Sequence, residues 1–355
     1  MTSRERVSTV FAGGIPDRVP MQDGYWDEAL DRWQREGLAE EVARDRDALW
    51  EHFGMDIRQI SVDPSFLLPT ALVGEDDRYI LKQTGDGAIL KYIKGKTSTP
   101  GLVSFKVDGR AAWEELKPRL LSTEGRLPAD LAERYRAYRA ADRFVVVCLH
   151  DPIEASWSKL GPTYLLESMK LDPALVTDIF KTITDMNLAT CERLLGEGYQ
   201  IDGGWIWGDI AYGGGMLFSP SMYRELLWPF HKRLVGFFNQ RGLPVVYHSD
   251  GNLHAVIDLL IAAGIRCLQP LEAKAGMDVL DLKQRYGDRL TFMGNVDFEA
   301  IARGDKEAEA EIGRKVGLGK QGGGYIYHSD HSVPPTVSLA EYERVLGLVR
   351  RYGAY

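Results

Sequence analysis

Short runs of β-branched and aromatic residues alternate along this chain with longer amphipathic stretches, and no other feature constrains the fold as strongly. Long helical patterns, such as those at 27–54, 173–198 and 220–242, each end at a glycine typical of a helix C-cap. Repeated βα units build a parallel sheet, and eight of them predict an α/β (β/α)8 TIM barrel. The eight runs lie at 18–24, 57–63, 144–150, 203–209, 244–250, 266–272, 290–295 and 324–330.

The stretch at 64–142 departs from this alternation. Residues 78–109, RYILKQTGDGAILKYIKGKTSTPGLVSFKVDG, predict a β-hairpin region with GDG as its turn, and charged helical patterns follow at 110–140. We interpret 64–142 as an insertion after the second strand that covers part of the barrel mouth. Residues 1–355 are otherwise expected to form a single TIM-barrel domain.

Composition narrows the class of partner. The 355 residues are 45% hydrophobic, and 43 basic against 51 acidic side chains give a net charge of −8 without a basic stripe, which argues against nucleic acid. No run of 18 apolar residues or apolar N-terminal signal core is visible, so we expect a cytoplasmic protein without a membrane partner. The three scattered cysteines are expected to be reduced core residues.

Polar residues gather where the predicted strands end, and the tetrapeptide YHSD occurs at two of these ends. His248 and Asp250 are two residues apart at the end of a strand, so their side chains should point the same way into the barrel mouth. The second copy is followed by His331, and histidines with carboxylates from separate strands are a common divalent-metal site. In the alternative interpretation, these are polar residues of turns, because Asp-Gly and Gly-Asn are turn dipeptides.

Other residues at the strand ends allow two interpretations each. Glu272 is either a surface carboxylate or a cavity carboxylate that serves as ligand or base. Trp205 and Trp207 share a strand face, and Trp207, nearer the strand end, either packs in the core or lines a pocket for a flat substrate. Tyr25 and Trp26 carry the same two possibilities.

The segments HSDGN, PLEAKAGMD, RYGDRLTFMGNVD and GGGYIYHSDHSVPP, spaced as they are, resemble the uroporphyrinogen decarboxylase superfamily. Within it the chain looks most similar to the branch of corrinoid-dependent methyltransferases. The resemblance is clearest at about 140–345, and it implies a TIM barrel, in agreement with the eight runs.

Departures from the family motifs indicate the chemistry. True decarboxylases of this family carry arginines after the first strand, where this chain has MQDGYWDEALDRW with Asp23, Tyr25 and Trp26. A barrel mouth with acidic and aromatic residues is poorly suited to a porphyrinogen, because that substrate carries many carboxylates, which arginines bind well. Thiol-activating methyltransferases carry His-x-Cys and a later cysteine, and here these positions are His248, Asp250 and His331. Aspartate and histidine, which replace the two cysteines, are both residue types that bind zinc. With nitrogen and oxygen donors instead of thiolates, the ion would be a stronger Lewis acid.

The resemblance therefore implies a methyltransferase of the O-demethylase kind. It would move a methyl group from a methoxylated aromatic, or another methyl donor, to the Co(I) centre of a corrinoid (cobalamin) on a partner protein. Three residue sets follow: a divalent metal, expected to be zinc, on His248, Asp250 and His331; catalytic Glu272, Asp330 and His328; and substrate contacts from Tyr25, Trp26, Trp207, Asp209 and His150.

Two alternatives stay open at this stage. A metal-independent decarboxylase or lyase on the same barrel would use Asp23, His248 and Asp330 to manage protons. A binding protein that has lost catalysis is the other alternative, because both family cysteines are missing.

Overall fold

The computed structural model describes residues 1–96 and 99–355. Within these residues, seven parallel strands form one curled sheet, a half-barrel consistent with a TIM-like barrel. In sheet order they are β1 (Ile57–Ser61), β6 (Phe144–His150), β7 (Gly203–Trp207), β10 (Val245–His248), β11 (Cys267–Gln269), β12 (Thr291–Met293) and β13 (Tyr325–Ile326). The short strands β8 (Ala211–Tyr212) and β9 (Gly215–Met216) pair with each other. The predicted α/β class and parallel sheet are thus confirmed.

Helices pack on the outer face of the sheet. Within the described residues, none combines the length and the apolar character that crossing a membrane requires. The α-helices are α1 (Ser3–Phe11), α2 (Asp27–Arg35), α3 (Glu40–Arg44), α4 (Arg46–Phe53), α5 (Arg110–Leu116), α6 (Leu131–Ala140), α7 (Glu154–Leu160), α8 (Pro162–Leu171), α9 (Pro173–Gly196), α10 (Pro220–Met222), α11 (Trp228–Asn239), α12 (Ile257–Ala263), α13 (Val279–Tyr286), α14 (Phe298–Ile301), α15 (Asp305–Gly319) and α16 (Leu339–Gly353). Shorter helical turns lie at Lys117–Leu121, Tyr223–Leu227 and Ala273–Ala275.

Alternation along the strands divides the core into two parts. Every second residue of the central strands points into the barrel, where Cys148, Trp205, Val246 and Cys267 pack in one buried cluster. The residues between them join the larger core beneath the helices. The inward set continues towards the strand ends, where it becomes polar.

The first predicted strand, at 18–24, is not a regular strand. Met21 makes an isolated parallel bridge with Tyr327, directly after β13, and the following Tyr25 makes another with Val333 in the loop beyond. Pro20 lacks an amide hydrogen and contributes only its carbonyl, which accepts from the Tyr327 amide. On the other side of the segment, the Met21 carbonyl accepts a hydrogen bond from the Asp56 amide at 2.8 Å. This irregular segment thus connects the two edges of the curled sheet.

Asp56 holds the segment in place. Its side chain is fully buried and accepts hydrogen bonds from Ser3 Oγ at 2.7 Å and from the Met21 amide at 2.8 Å. The same carboxylate pairs with the guanidinium groups of Arg6 and Arg18, each at 2.9 Å. One carboxylate therefore joins α1, the 18–24 segment and the start of β1.

The inserted stretch carries a second sheet. In its described residues, four antiparallel strands pair in the order β2-β3-β4-β5, with bounds Ala71–Glu75, Tyr79–Gln83, Ile89–Ile93 and Gly101–Ser104. Thr97 and Ser98 of the predicted hairpin region lie outside the described residues. The predicted GDG turn joins β3 to β4, and its Asp86 pairs at 2.8 Å with Lys159 of α7, both side chains being buried. This ion pair fixes the tip of the hairpin on α7.

We expect Asp56→Ala to lower the free energy of unfolding by about 3–5 kcal/mol, because the buried Met21 amide would lose its acceptor and Arg6 would keep only the half-exposed Asp17 as its partner. Asp258→Ala is the control. It removes an exposed ion pair with Arg289 at 3.4 Å and should cost less than about 1 kcal/mol. Chemical denaturation of the three proteins measures both values, and equal losses in the two variants would contradict the assignment.

Candidate metal centre

Hydrogen-bond register places four polar or aromatic side chains at one level of the barrel. His150 of β6 pairs in register with Trp207 of β7, Trp207 with His248 of β10, and His248 with Gln269 of β11. Each lies two residues beyond a member of the buried interior cluster, so all four belong to the inward set. The His248 ring lies 4.2 Å from the Trp207 ring, centroid to centroid.

Among the described residues, Asp209, His248 and Asp250 offer one ligand atom each within 4.8 Å of one another. The distance from His248 Nε2 to Asp209 Oδ1 is 3.6 Å. The Asp250 amide donates to Asp209 Oδ1 at 2.9 Å, which holds the two carboxylates side by side. Asp250 Oδ1 is buried and has no hydrogen-bond partner in the described part of the chain. A buried carboxylate oxygen without a donor fits a cation ligand, so these residues suit a divalent ion.

Carboxyl pKa values around this group show an excess of negative charge. Burial raises the pKa of Asp209, and the neighbouring Asp250 carboxylate adds to the shift despite the opposing effect of His248. Burial also raises the pKa of Glu154 on α7, with further contributions from Asp209 and Asp151. Glu154 Oε2 accepts the Asp209 amide at 3.2 Å. A bound cation would stabilise the ionised form of such crowded carboxyl groups.

His331 approaches the same group from the loop after β13. Its Nε2 lies 3.2 Å from Asp250 Oδ2, and its Nδ1 accepts the Ser332 amide at 2.8 Å. The hydrogen bond with Asp250 is the main cause of its raised pKa. For Asp250, burial acts to raise the pKa, but the hydrogen bond from His331 and the nearby histidines lower it overall. His331, predicted as a metal ligand, thus lies outside this group of three and contacts it through Asp250. Asp209, predicted as a substrate contact, is one of the three.

Glu272 and Asp330, predicted as catalytic groups, bind backbone amides of neighbouring loops. Glu272 Oε2 accepts the Gly251 amide at 2.8 Å, and Asp330 Oδ2 accepts the Ala273 amide at 3.3 Å. Gly251 has φ +82°, and a side chain there would meet the backbone of Tyr212. Burial, with a contribution from Asp297, raises the pKa of Asp330 to about 6. These contacts fix the loop that carries Asp250.

We call Asp209, His248 and Asp250 the metal group. A cavity of about 270 Å³ lies beside it. Trp207 and Tyr25 line it, and so do His328 and Asp23. The Tyr25 ring also packs edge-on against Trp33, 5.6 Å away, so it belongs partly to the core. Trp26 does not line this cavity and instead stacks on His331, with ring centroids 5.6 Å apart and an interplanar angle of 11°.

Two arginines that sequence reasoning missed also line the cavity. Arg44 ends α3 and Arg46 begins α4, so both lie well beyond the segment after the first strand, where true decarboxylases carry arginines. Their presence corrects the expectation of an acidic and aromatic mouth. No spacing signal linked them to the strand ends, because a separate helical segment carries them.

A buried hydrogen-bond network, which the sequence also did not predict, lies next to the ends of β6, β7 and β10. Asp151 Oδ2 lies 2.7 Å from His231 Nε2, and His231 Nδ1 lies 2.9 Å from the Tyr223 hydroxyl. The Tyr247 hydroxyl donates to the Gly208 carbonyl at 2.8 Å, and it lies 3.3 Å from Asp151 Oδ2. Burial is the main cause that lowers the pKa of His150, a predicted substrate contact, to about 4, and the charge of Lys159 adds to this shift. It is therefore neutral near pH 7.

Residues 155–352, more than half of the chain, match the family model described as uroporphyrinogen decarboxylase (URO-D). The chain belongs to the uroporphyrinogen decarboxylase family. This match confirms the resemblance that the sequence motifs indicated. A comparison with curated proteins found no match.

Solved structures were also compared with this chain. A methyltransferase from Methanosarcina mazei is similar over 99% of this chain and 98% of its own, with a TM-score of 0.66 and 17% identity. A class V chitinase from Pseudomonas fluorescens gives a TM-score of 0.42 at 9% identity, with 93% and 99% of the chains covered. The first likeness shows that this family member shares the methyltransferase's overall fold.

The raised pKa of Glu154 predicts a pH-dependent stability. The folded protein holds this proton up to about pH 8, whereas the unfolded chain releases it near the ordinary value of 4.5. Stability from this group is therefore present below pH 4.5 and is lost as the pH rises to about 8. Glu154→Gln should flatten the decline in unfolding free energy between pH 5 and pH 9 by at least about 1.4 kcal/mol. Urea unfolding of the metal-free protein measures this, with the exposed Glu225→Gln as control, and an unchanged slope in Glu154→Gln would contradict the shift.

Proposed function

We propose that this protein is a methyltransferase that moves the methyl group of a methoxylated aromatic to the Co(I) centre of a corrinoid on a partner protein. The C–O bond breaks with its electron pair on oxygen, cobalt(I) supplies the pair for the new bond and becomes cobalt(III), and the oxygen takes a proton. The observation that carries the proposal is the carboxylate-histidine group at the barrel mouth beside an aromatic-lined cavity. The family match and the methyltransferase-like fold support it.

Asp209, His248 and Asp250 are the residues that would hold the ion, with His331 as a further ligand or as the donor to Asp250. When bound, a divalent ion such as zinc would supply a Lewis acid that stabilises negative charge on the leaving oxygen. The donor set contains only nitrogen and oxygen, which suits zinc and harder divalent ions.

The chain's own residues bind and orient the donor in this proposal. Trp207 presents its ring both to the cavity and to His248, so a stacked aromatic ether would lie beside the metal group. Glu272 keeps the Asp250 loop in place through Gly251.

We also propose that residues 1–355 act as one barrel domain and that 64–142 forms its lid. The buried Asp86–Lys159 pair supports this, because it fixes the inserted sheet to the helix that follows β6. The corrinoid protein would dock at the strand ends, where the metal group and the cavity lie together.

A second candidate function is a metal-independent decarboxylase. Asp23 lines the cavity and accepts hydrogen bonds from the hydroxyls of Tyr327 and Tyr342, each at 3.0 Å, while its Oδ1 lies 3.7 Å from His328 Nδ1. This pair can handle a proton without a metal. Arg44 and Arg46 in the same cavity favour a substrate that carries a carboxylate.

The methyltransferase proposal predicts that His248→Ala removes both the bound metal and the activity. The purified protein should hold about one divalent ion per chain by elemental analysis, and His248→Ala should hold none. Transfer from a methoxyaromatic to reduced cobalamin, followed by absorbance, should fall at least about 100-fold, since a lost Lewis acid costs several kcal/mol. The exposed His52→Ala is the control and should retain both. Full transfer without a metal would contradict the proposed role of the ion, and no transfer from any methoxyaromatic would favour the decarboxylase instead.

Stacking on Trp207 predicts a selective effect on aromatic donors. Trp207→Leu should raise KM for an aryl methyl ether about 2- to 12-fold, which corresponds to a stacking energy of about 0.5–1.5 kcal/mol. KM for a small aliphatic methyl ether should change little. Steady-state kinetics with both donors tests this, and an equal rise for the two ethers would show that Trp207 acts by shaping the site rather than by stacking.

A further inference from the structure

Gln269 bridges two histidines that belong to different parts of the site. Its Oε1 lies 2.6 Å from His248 Nδ1, and its Nε2 lies 3.1 Å from His328 Nε2. The side chain is 2% exposed, and strand register fixes it beside His248. His248 belongs to the metal group, whereas His328 lines the cavity. A single amide therefore connects the two.

The direction of each hydrogen bond follows from a backbone carbonyl. His328 Nδ1 lies 2.7 Å from the Ser329 carbonyl oxygen, which can only accept, so Nδ1 carries a proton. Burial lowers the pKa of His328 despite the opposing effect of Asp23, so the ring is neutral and its Nε2 has a lone pair. The Gln269 amide nitrogen must then donate to His328, which directs Oε1 towards His248.

The same reasoning assigns the tautomer of His248. Oε1 of Gln269 can only accept, so His248 Nδ1 carries the proton when the ring is neutral. The lone pair is then on Nε2, the atom that lies 3.6 Å from Asp209 Oδ1. With the opposite tautomer, an N–H group would face the carboxylates and the ring could not bind a metal through Nε2.

We infer that Gln269 is a positioning residue that fixes His248 in the Nδ1-protonated tautomer and so presents the Nε2 lone pair to a divalent cation held with Asp209 and Asp250. The orientation originates at the Ser329 carbonyl and passes through His328 and Gln269 to His248. The inference adds a residue to the metal site and, for its role in methyl transfer, rests on the proposed function. Such orienting partners typically change metal affinity 10- to 100-fold.

Two variants separate orientation from bulk. Gln269→Leu fills a similar volume but neither accepts nor donates, so it should leave the His248 tautomer unspecified. Gln269→Glu keeps an oxygen that accepts from His248 Nδ1 and should preserve the tautomer. Gln240→Leu, at an exposed glutamine, is the matched control. Thermal unfolding of each variant shows whether it folds.

Nitrogen-15 NMR of the imidazole groups in the metal-free protein reads the tautomer, with the His248 signals identified by their loss in His248→Ala. We expect a protonated Nδ1 and an unprotonated Nε2 in the wild type, in Gln269→Glu and in the control, and a mixture in Gln269→Leu. A His248 tautomer in Gln269→Leu identical to that of the wild type would overturn the inference.

Calorimetric titration with Zn²⁺ supplies the second readout and needs no methyl donor. Zinc affinity should fall about 10- to 100-fold in Gln269→Leu, whereas it should not fall in Gln269→Glu, whose carboxylate also accepts from His248 Nδ1. An unchanged affinity in a folded Gln269→Leu would overturn the inference even if methyl transfer is established. Failure of methyl transfer with zinc affinities as expected would overturn the proposed function alone.

Discussion

The hydrogen-bond register of β6, β7, β10 and β11 is the constraint on which the site depends. In a parallel sheet the register decides which side chains stand at one level, and a shift by one residue would turn each of them to the opposite face. Here the register sets His150, Trp207, His248 and Gln269 in one row. The row begins where the apolar interior ends, so a packed core supports the residues of the candidate metal centre.

The site concentrates negative charge just beyond this row. Asp209 and Asp250 lie side by side near Glu154, and burial raises the pKa of Asp209 and Glu154. Buried carboxylates are costly unless they are paired, and one oxygen of Asp250 has no hydrogen-bond partner in the described chain. A bound cation would neutralise the neighbouring carboxylates and would also give this Asp250 oxygen a partner. The tyrosine-bonded Asp23 contrasts with this group, because donors on the chain already satisfy it.

Much of the fold and part of the site could be predicted from the sequence. Short β-branched and aromatic runs located the seven strands, and the polar residues at the ends of these runs included His248 and Asp250. The 18–24 segment could not be predicted as irregular, since Pro20 limits its pairing only in its three-dimensional context. Gln269 was overlooked because it lies within an apolar run, although its spacing of two from buried Cys267 is the signal that could have found it. Arg44 and Arg46 lie in helices far from any strand end, so only the fold brings them to the cavity.

The position of a bound ion tests the central claim most directly. Crystals grown with Zn²⁺ and measured at the zinc absorption edge should show one anomalous peak within about 2.0–2.2 Å of His248 Nε2 and of carboxylate oxygens from Asp209 and Asp250. A zinc ion at another place, or a well-ordered site without an anomalous peak at saturating zinc, would contradict the claim that these three residues form a metal centre.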